Sequence, residues 1–154
     1  MRQFFSLMAC LFLAAALGQT PAKFQVAASV APSYKQGDAG QMNISLKLLS
    51  EEVSFTEAVV FLNIVEDAPN YPQAAHKIFA NASETPKIFQ VLYTADDLRQ
   101  GLATSLGFEF KDSAKPGKYI LVIQTFAGAT TDPHNVKFEN RVGISSFPFE
   151  IAGP

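Results

Sequence analysis

Lys115-Pro-Gly-Lys-Tyr-Ile-Leu-Val-Ile-Gln-Thr-Phe126 is the stretch whose reading decides the fold. Pro116 fixes its own φ and Gly117 tolerates positive φ, so the pair suits the centre of a type II turn from which a strand departs at once. From Lys118 onward the residues are β-branched, aromatic or leucine at nearly every position. Period two puts Tyr119, Leu121 and Ile123 on one face and Ile120, Val122 and Phe126 on the other. A strand apolar on both faces lies in the middle of a sheet that is covered on both sides. The rest of the chain must therefore supply that cover.

Glu57-Ala-Val-Val-Phe-Leu-Asn-Ile-Val65 has the same two-faced apolarity, and it predicts a second central strand. Around these two, weaker strands alternate. Met42, Ile44, Leu46 and Leu48 interleave with Asn43, Ser45 and Lys47, the pattern of a half-buried strand with one wet face. Phe24 to Val30 reads as a modest first strand closed by Ala31-Pro32, and Lys87 to Tyr93 and Thr104 to Lys111 read as two more. In the last of these Leu106, Phe108 and Phe110 point inward. Val136 with Phe138, then Val142 to Ile151, complete the set, and Pro148 places the final strand at an edge or a bulge. Only Thr94-Ala-Asp-Asp-Leu-Arg-Gln-Gly101 reads as helix, with Thr94 as N-cap, acids in the first turn and Gly101 as stop. Short strands separated by turns, without alternating long helices, predict an all-β antiparallel sandwich of about seven to eight strands.

The first 18 residues have a different character. Arg2 precedes an apolar run, Phe4 to Leu17, that ends in Ala16-Leu17-Gly18, and this describes a secretory signal peptide. The run falls short of the roughly 20 residues that span a bilayer, so cleavage is expected rather than anchoring. Residues 19–154 then form one domain of 136 residues, long enough for a core of its own. Cys10, the only cysteine, leaves with the leader, so the secreted chain holds together without a disulfide. After cleavage 11 Lys and Arg face 14 Asp and Glu with no basic cluster, which disfavours nucleic acid and anionic membrane surfaces as partners.

Asp112-Ser-Ala-Lys-Pro-Gly-Lys-Tyr119, between a Phe-rich strand and the strongest strand, resembles the turn entering strand F of immunoglobulin-like and fibronectin-type domains. The resemblance covers about 12 residues closely and the rest of the chain only as strand order. It implies an immunoglobulin-like sandwich in which Tyr119 is a corner tyrosine, its ring buried and its hydroxyl bonded to upstream backbone. Tyr119 is thus the expected structural anchor. The succession Gly40-Gln-Met-Asn-Ile-Ser-Leu46, Val59-Val-Phe-Leu62, Gly117-Lys-Tyr-Ile-Leu121 and Ser145-Ser-Phe-Pro-Phe-Glu-Ile151 is similar in rhythm to the N-terminal domain of fungal Ser/Thr-rich, GPI-anchored wall proteins. That family's tryptophan and Ser/Thr stalk are missing, and the likeness implies a role at a cell surface.

Catalytic kits are not found in the sequence: it carries no G-x-S-x-G, no H-E-x-x-H, no P-loop and no cysteine nucleophile beyond the leader. No catalytic, cofactor or metal residue is assigned, and no cofactor is expected. His76 and His134, the only histidines, are expected in loops at opposite ends of an immunoglobulin topology rather than in one metal site. Adjacent acids, Glu51-Glu52 and Asp96-Asp97, are expected to be solvated, because neighbours on an extended chain face opposite ways. Asn43-Ile-Ser45 and Asn81-Ala-Ser83 are N-glycosylation sequons, and Asn43 falls on the wet face of its strand. Residues 66–86 form an unusually long connection with Tyr71, Ile78 and Phe79 as apolar handles, a recognition candidate or an added edge.

These features predict a secreted, non-enzymatic extracellular domain that binds a protein or glycan at a cell surface through loops or a sheet edge. High phenylalanine content, 14 residues with no tryptophan, motivates the alternative of a carrier for a small apolar ligand. A carrier requires a dry internal cavity of about 300 Å³ or more.

Overall fold

The computed structural model describes residues 22–67, 89–130 and 135–153. They form β1 (Phe24–Ala28), β2 (Ser33–Lys35), β3 (Ala39–Leu48), β4 (Glu57–Glu66), β5 (Phe89–Thr94), helix α1 (Ala95–Gln100), β6 (Leu102–Glu109), β7 (Gly117–Ala127) and β8 (Arg141–Ala152). Two sheets result, one ordered β1-β3-β6 and one ordered β2-β8-β7-β4-β5. The all-β expectation holds, and with it the immunoglobulin-like strand order: β1, β3 and β6 stand where A, B and E would, and β4, β7 and β8 where C, F and G would.

Both central strands behave as their composition demands. Along β4 every residue from Ala58 to Ile64 is buried, and along β7 every residue from Ile120 to Phe126. Their inner faces, with Val60, Leu62 and Ile64 beside Leu121 and Ile123, meet Met42, Ile44, Leu46 and Leu48 of β3 in one core. The outer face of the same sheet is buried too: Val59, Phe61 and Phe126 form a second, smaller cluster with Val136 packed against it. Phe61 and Phe126 meet there edge to face, ring centres 5.8 Å apart. On the three-stranded sheet the alternation is clean, and Gln41, Asn43, Ser45 and Lys47 are exposed.

Several expectations are corrected. The hydrogen-bonded turn before β7 is Lys111 to Ala114, whose N–H donates to Lys111 O at 2.8 Å, whereas Gly117, at φ 155°, already belongs to the strand. The strand read over Thr104 to Lys111 runs two residues earlier, because Gly101 ends α1 and releases the chain directly into pairing with Leu46. Val136 and Phe138 do not form a strand; Phe138–Asn140 is a single 3-10 turn leading into β8. The sequence reading also missed β2. It is three residues long and pairs in parallel with Glu150 to Ala152, so the sandwich is antiparallel except at this one ladder.

That short ladder explains Pro148. Glu150 donates its N–H to Pro32 O at 3.0 Å, and residues two apart in a strand direct their N–H to the same side. The missing N–H of Pro148 therefore faces the side where β2 has not yet begun, and no described strand pairs with it there. At the other end of β8, Gly143 lies against the Phe24 ring so closely that a Cβ would sit 2.8 Å from Cδ2. Phe24 thereby closes the gap between the edge of one sheet and the edge of the other.

Aromatic rings lock one end of the sandwich. Tyr34 of β2 lies 5.0 Å from Phe108, 5.2 Å from Phe110 and 5.4 Å from Phe149, centroid to centroid. Its hydroxyl accepts the Ala31 N–H at 2.9 Å. Phe108 and Phe110 flank β6 and its end, while Tyr34 and Phe149 come from the other sheet, so this cluster ties the two sheets together.

Candidate functional site

Tyr119 stands two residues into β7, at the rim of the sandwich, paired between Glu66 and Phe149. Its hydroxyl donates to Lys115 O at 2.7 Å, four residues upstream, and its ring stacks on Phe149 at 5.9 Å and 21°. The ring is half-buried rather than buried, because at the rim only one side of it meets the core. Burial and the nearby Glu66 carboxylate both push its phenol pKa up.

The acidic pairs separate by role. Asp97 closes a capping box on α1: its carboxylate accepts the Thr94 N–H at 2.9 Å, and the Thr94 hydroxyl accepts the Asp97 N–H at 3.2 Å. Donation by Thr94 from its hydroxyl and its backbone holds the Asp97 carboxyl below its usual range. Asp96 pairs with Arg99 at 2.6 Å, and the same guanidinium donates to Glu51 O at 2.8 Å. Glu51 and Glu52 themselves are exposed between β3 and β4. Among the described residues no group of three or more His, Cys, Asp or Glu could hold a metal ion. His76, His134, Asn81, Tyr71, Ile78 and Phe79 lie outside the described residues, as do residues 1–18, the expected signal peptide.

Asn43 lies at the centre of the outer face of the three-stranded sheet, opposite Ser105. The Ser105 hydroxyl donates to Asn43 Oδ1 at 2.6 Å, and the Asn43 N–H donates to Ser29 Oγ at 2.8 Å. Toward β1 and β6 the outward residues beside it are small, Ala27, Ser29, Ala103, Ser105 and Gly107, while along β3 it lies between Gln41 and Ser45. Lys47 and Glu109 are the charged residues that β1, β3 and β6 turn outward, and they stand at opposite ends of the face.

Beside this face runs an edge of β6 that no described strand covers. On the β1 side of β3 the Asn43 carbonyl accepts the Ser29 N–H and the Leu49 N–H donates to Lys23 O, so Met42, Ile44 and Leu46 turn their backbone groups toward β6 and pair with Leu106, Thr104 and Leu102. Ala103, Ser105 and Gly107 then direct N–H and C=O away from β3, where no described strand pairs with them. From Leu102 to Phe108 the edge carries no charge, and a Cβ on Gly107 would meet nothing within 4 Å. Periodicity located the inward residues of this strand but not its position at an edge, which depends on which strands neighbour it.

Two spaces bear on ligand binding. Between the sheets, bounded by Leu46, Leu62, Tyr93 and Thr104, a cavity of about 20 Å³ has room for roughly one water. An open surface groove of about 320 Å³ lies over Phe24 and the Arg141-to-Ser145 part of β8. At its end Arg141 donates to the buried Gln124 side chain at 3.4 Å. No helix among the described residues is long and apolar enough to cross a membrane.

No protein-family model matches the chain, and no curated protein sequence matches it. Among solved structures it is similar to the CARDB domain of the PF1109 protein from Pyrococcus furiosus, in complex with di-metal ions: 10% identity and TM-score 0.43, over 86% of this chain and 96% of that one. It is also similar to the PmoD soluble domain from Methylocystis sp., with 14% identity and TM-score 0.40 over 84% of this chain and 90% of that one. A β-glucosidase from Erythrobacter marinus matches at 14% identity and TM-score 0.42, over 85% of this chain but 16% of the enzyme. At this distance no ligand or activity passes from them to this chain.

Proposed function

We propose that the chain is an exported, non-enzymatic recognition domain that takes up an extended strand of a partner protein along the edge of β6. The observation that carries this reading is the row of backbone groups at Ala103, Ser105 and Gly107, uncharged as far as Glu109, that no described strand covers. Natural edge strands are usually guarded by charge, proline or a bulge, and an unguarded one is a template for strand addition. Small side chains along this edge let another backbone approach to ladder distance. Export is supported by the basic, apolar and small-residue order of residues 1–18. For the apolar-carrier reading, the space between the sheets at Leu46, Leu62, Tyr93 and Thr104 is, among the described residues, far smaller than such a ligand requires.

The test places a photo-reactive residue at Gly107 in protein made by its own source cells, with Lys118, exposed at the start of β7, as the control position. Adducts are expected from position 107 and not from 118. Ala103→Pro removes one outward N–H while sparing the ladder to β3, and it should abolish the adduct without moving the unfolding midpoint by more than a small fraction. Equal adducts from both positions, or an adduct that survives Ala103→Pro, would overturn strand addition at this edge.

A further inference from the structure

We propose that Asn43 carries an N-linked oligosaccharide that roofs the outer face of the three-stranded sheet; this rests on the export reading above, because only an exported chain meets the transferase. The tripeptide Asn43-Ile44-Ser45 has the required acceptor order, and in an extended strand its Asn and Ser side chains share a face. Both are exposed, whereas Ile44 between them is 5% exposed in the core. The Ser105 hydroxyl donates to Asn43 Oδ1 at 2.6 Å, so Nδ2 is the amide atom that Ser105 leaves unengaged on an exposed side chain.

The surroundings fit a branched sugar rather than a neighbouring side chain. Ala27, Ser29, Ala103 and Gly107 keep the β1 and β6 sides of Asn43 low, and Gln41, two residues away on β3, is the larger neighbour on that face. Transfer precedes folding, since the core position of Ile44 denies an enzyme the tripeptide once β3 has docked. In that step Nδ2 bonds to C1 of an oligosaccharide carried on a polyprenyl diphosphate. The bond from C1 to the phosphate oxygen breaks, the polyprenyl diphosphate leaves, and Nδ2 gives up one of its two protons. The finished glycan covers the face and leaves the β6 edge, which points sideways in the plane of the sheet, open to a partner.

The experiment expresses the full chain in a eukaryotic secretory cell, collects the medium and removes glycans enzymatically in heavy-oxygen water, which converts an occupied Asn to labelled Asp. Label at Asn43 is expected, retained in Ser45→Thr and lost in Ser45→Ala while both variants still reach the medium. Secreted protein with unlabelled Asn43 overturns the proposal. If the chain stays in the cytosol with Met1 attached, the export reading fails by itself. The same chain placed behind an unrelated secretory leader then decides the glycan: unlabelled Asn43 in that secreted form overturns it, and labelled Asn43 sustains it.

Discussion

Tyr119 shows how one side chain serves two purposes at the rim of the sandwich. Its hydroxyl closes the turn back onto Lys115 and its ring covers Phe149, while its outer side faces water. Because the hydrogen bond is exposed, Tyr119→Phe should cost only about 0.5–1 kcal/mol. Tyr119→Ala loses the stacking and the half-buried ring area as well, about 2 kcal/mol, less than a fully buried aromatic would lose. Lys118→Ala, outward and exposed one residue earlier, should stay within about 0.5 kcal/mol of wild type. Chemical denaturation of the three variants checks the order; equal midpoints for Tyr119→Ala and Lys118→Ala would show that the corner contributes nothing.

At the scale of an element, α1 depends on its start. Six residues are too few for a helix to hold by itself, so the capping box and the burial of Ala95 and Leu98 must supply what propensity does not. Thr94→Ala should cost about 1 kcal/mol, measured by denaturation, since it removes the acceptor for the Asp97 N–H. The pH dependence has a definite sign. Asp97 binds its proton less readily folded than unfolded, so its contribution is complete above the ordinary carboxylate range and is lost as pH falls through its depressed folded pKa. Asp97→Asn should therefore lower stability at neutral pH and flatten the acid limb of the stability curve. An unchanged acid limb would assign that limb to other carboxylates. The strand elements differ in how legible they were. Alternation in β3 and two-faced apolarity in β4 and β7 specify faces directly, because a one-residue slip would turn a buried row into water. For β2, three residues carry too little pattern to read, and the ladder to β8 rather than local preference makes it a strand.

For the whole molecule, the aromatic cluster of Tyr34, Phe108, Phe110 and Phe149 is the joint between the sheets. Phe110, 5% exposed, touches rings from both sides of that joint, and Phe110→Ala should cost about 3–5 kcal/mol, read as a lowered denaturation midpoint. Against the ~5–15 kcal/mol typical of a domain this is a large share, and loss of cooperative unfolding in that variant is the expected sign. A midpoint close to wild type would mean that the sheets are held elsewhere. The sequence by itself determined the all-β class, the two central strands, the inward row of β3 and the cap of α1, because each is set by side-chain periodicity or by hydrogen bonds between residues a few positions apart. It also marked Asn43 as lying on a wet face. Only the tertiary structure decided that β6 is an edge with Ala103, Ser105 and Gly107 turned outward, that Ser105 meets Asn43, and that Tyr34 enters the core. The sequence separations are the reason: Asn43 and Ser105 are 62 residues apart, and their meeting depends on how the strands stack into sheets, which no local pattern encodes.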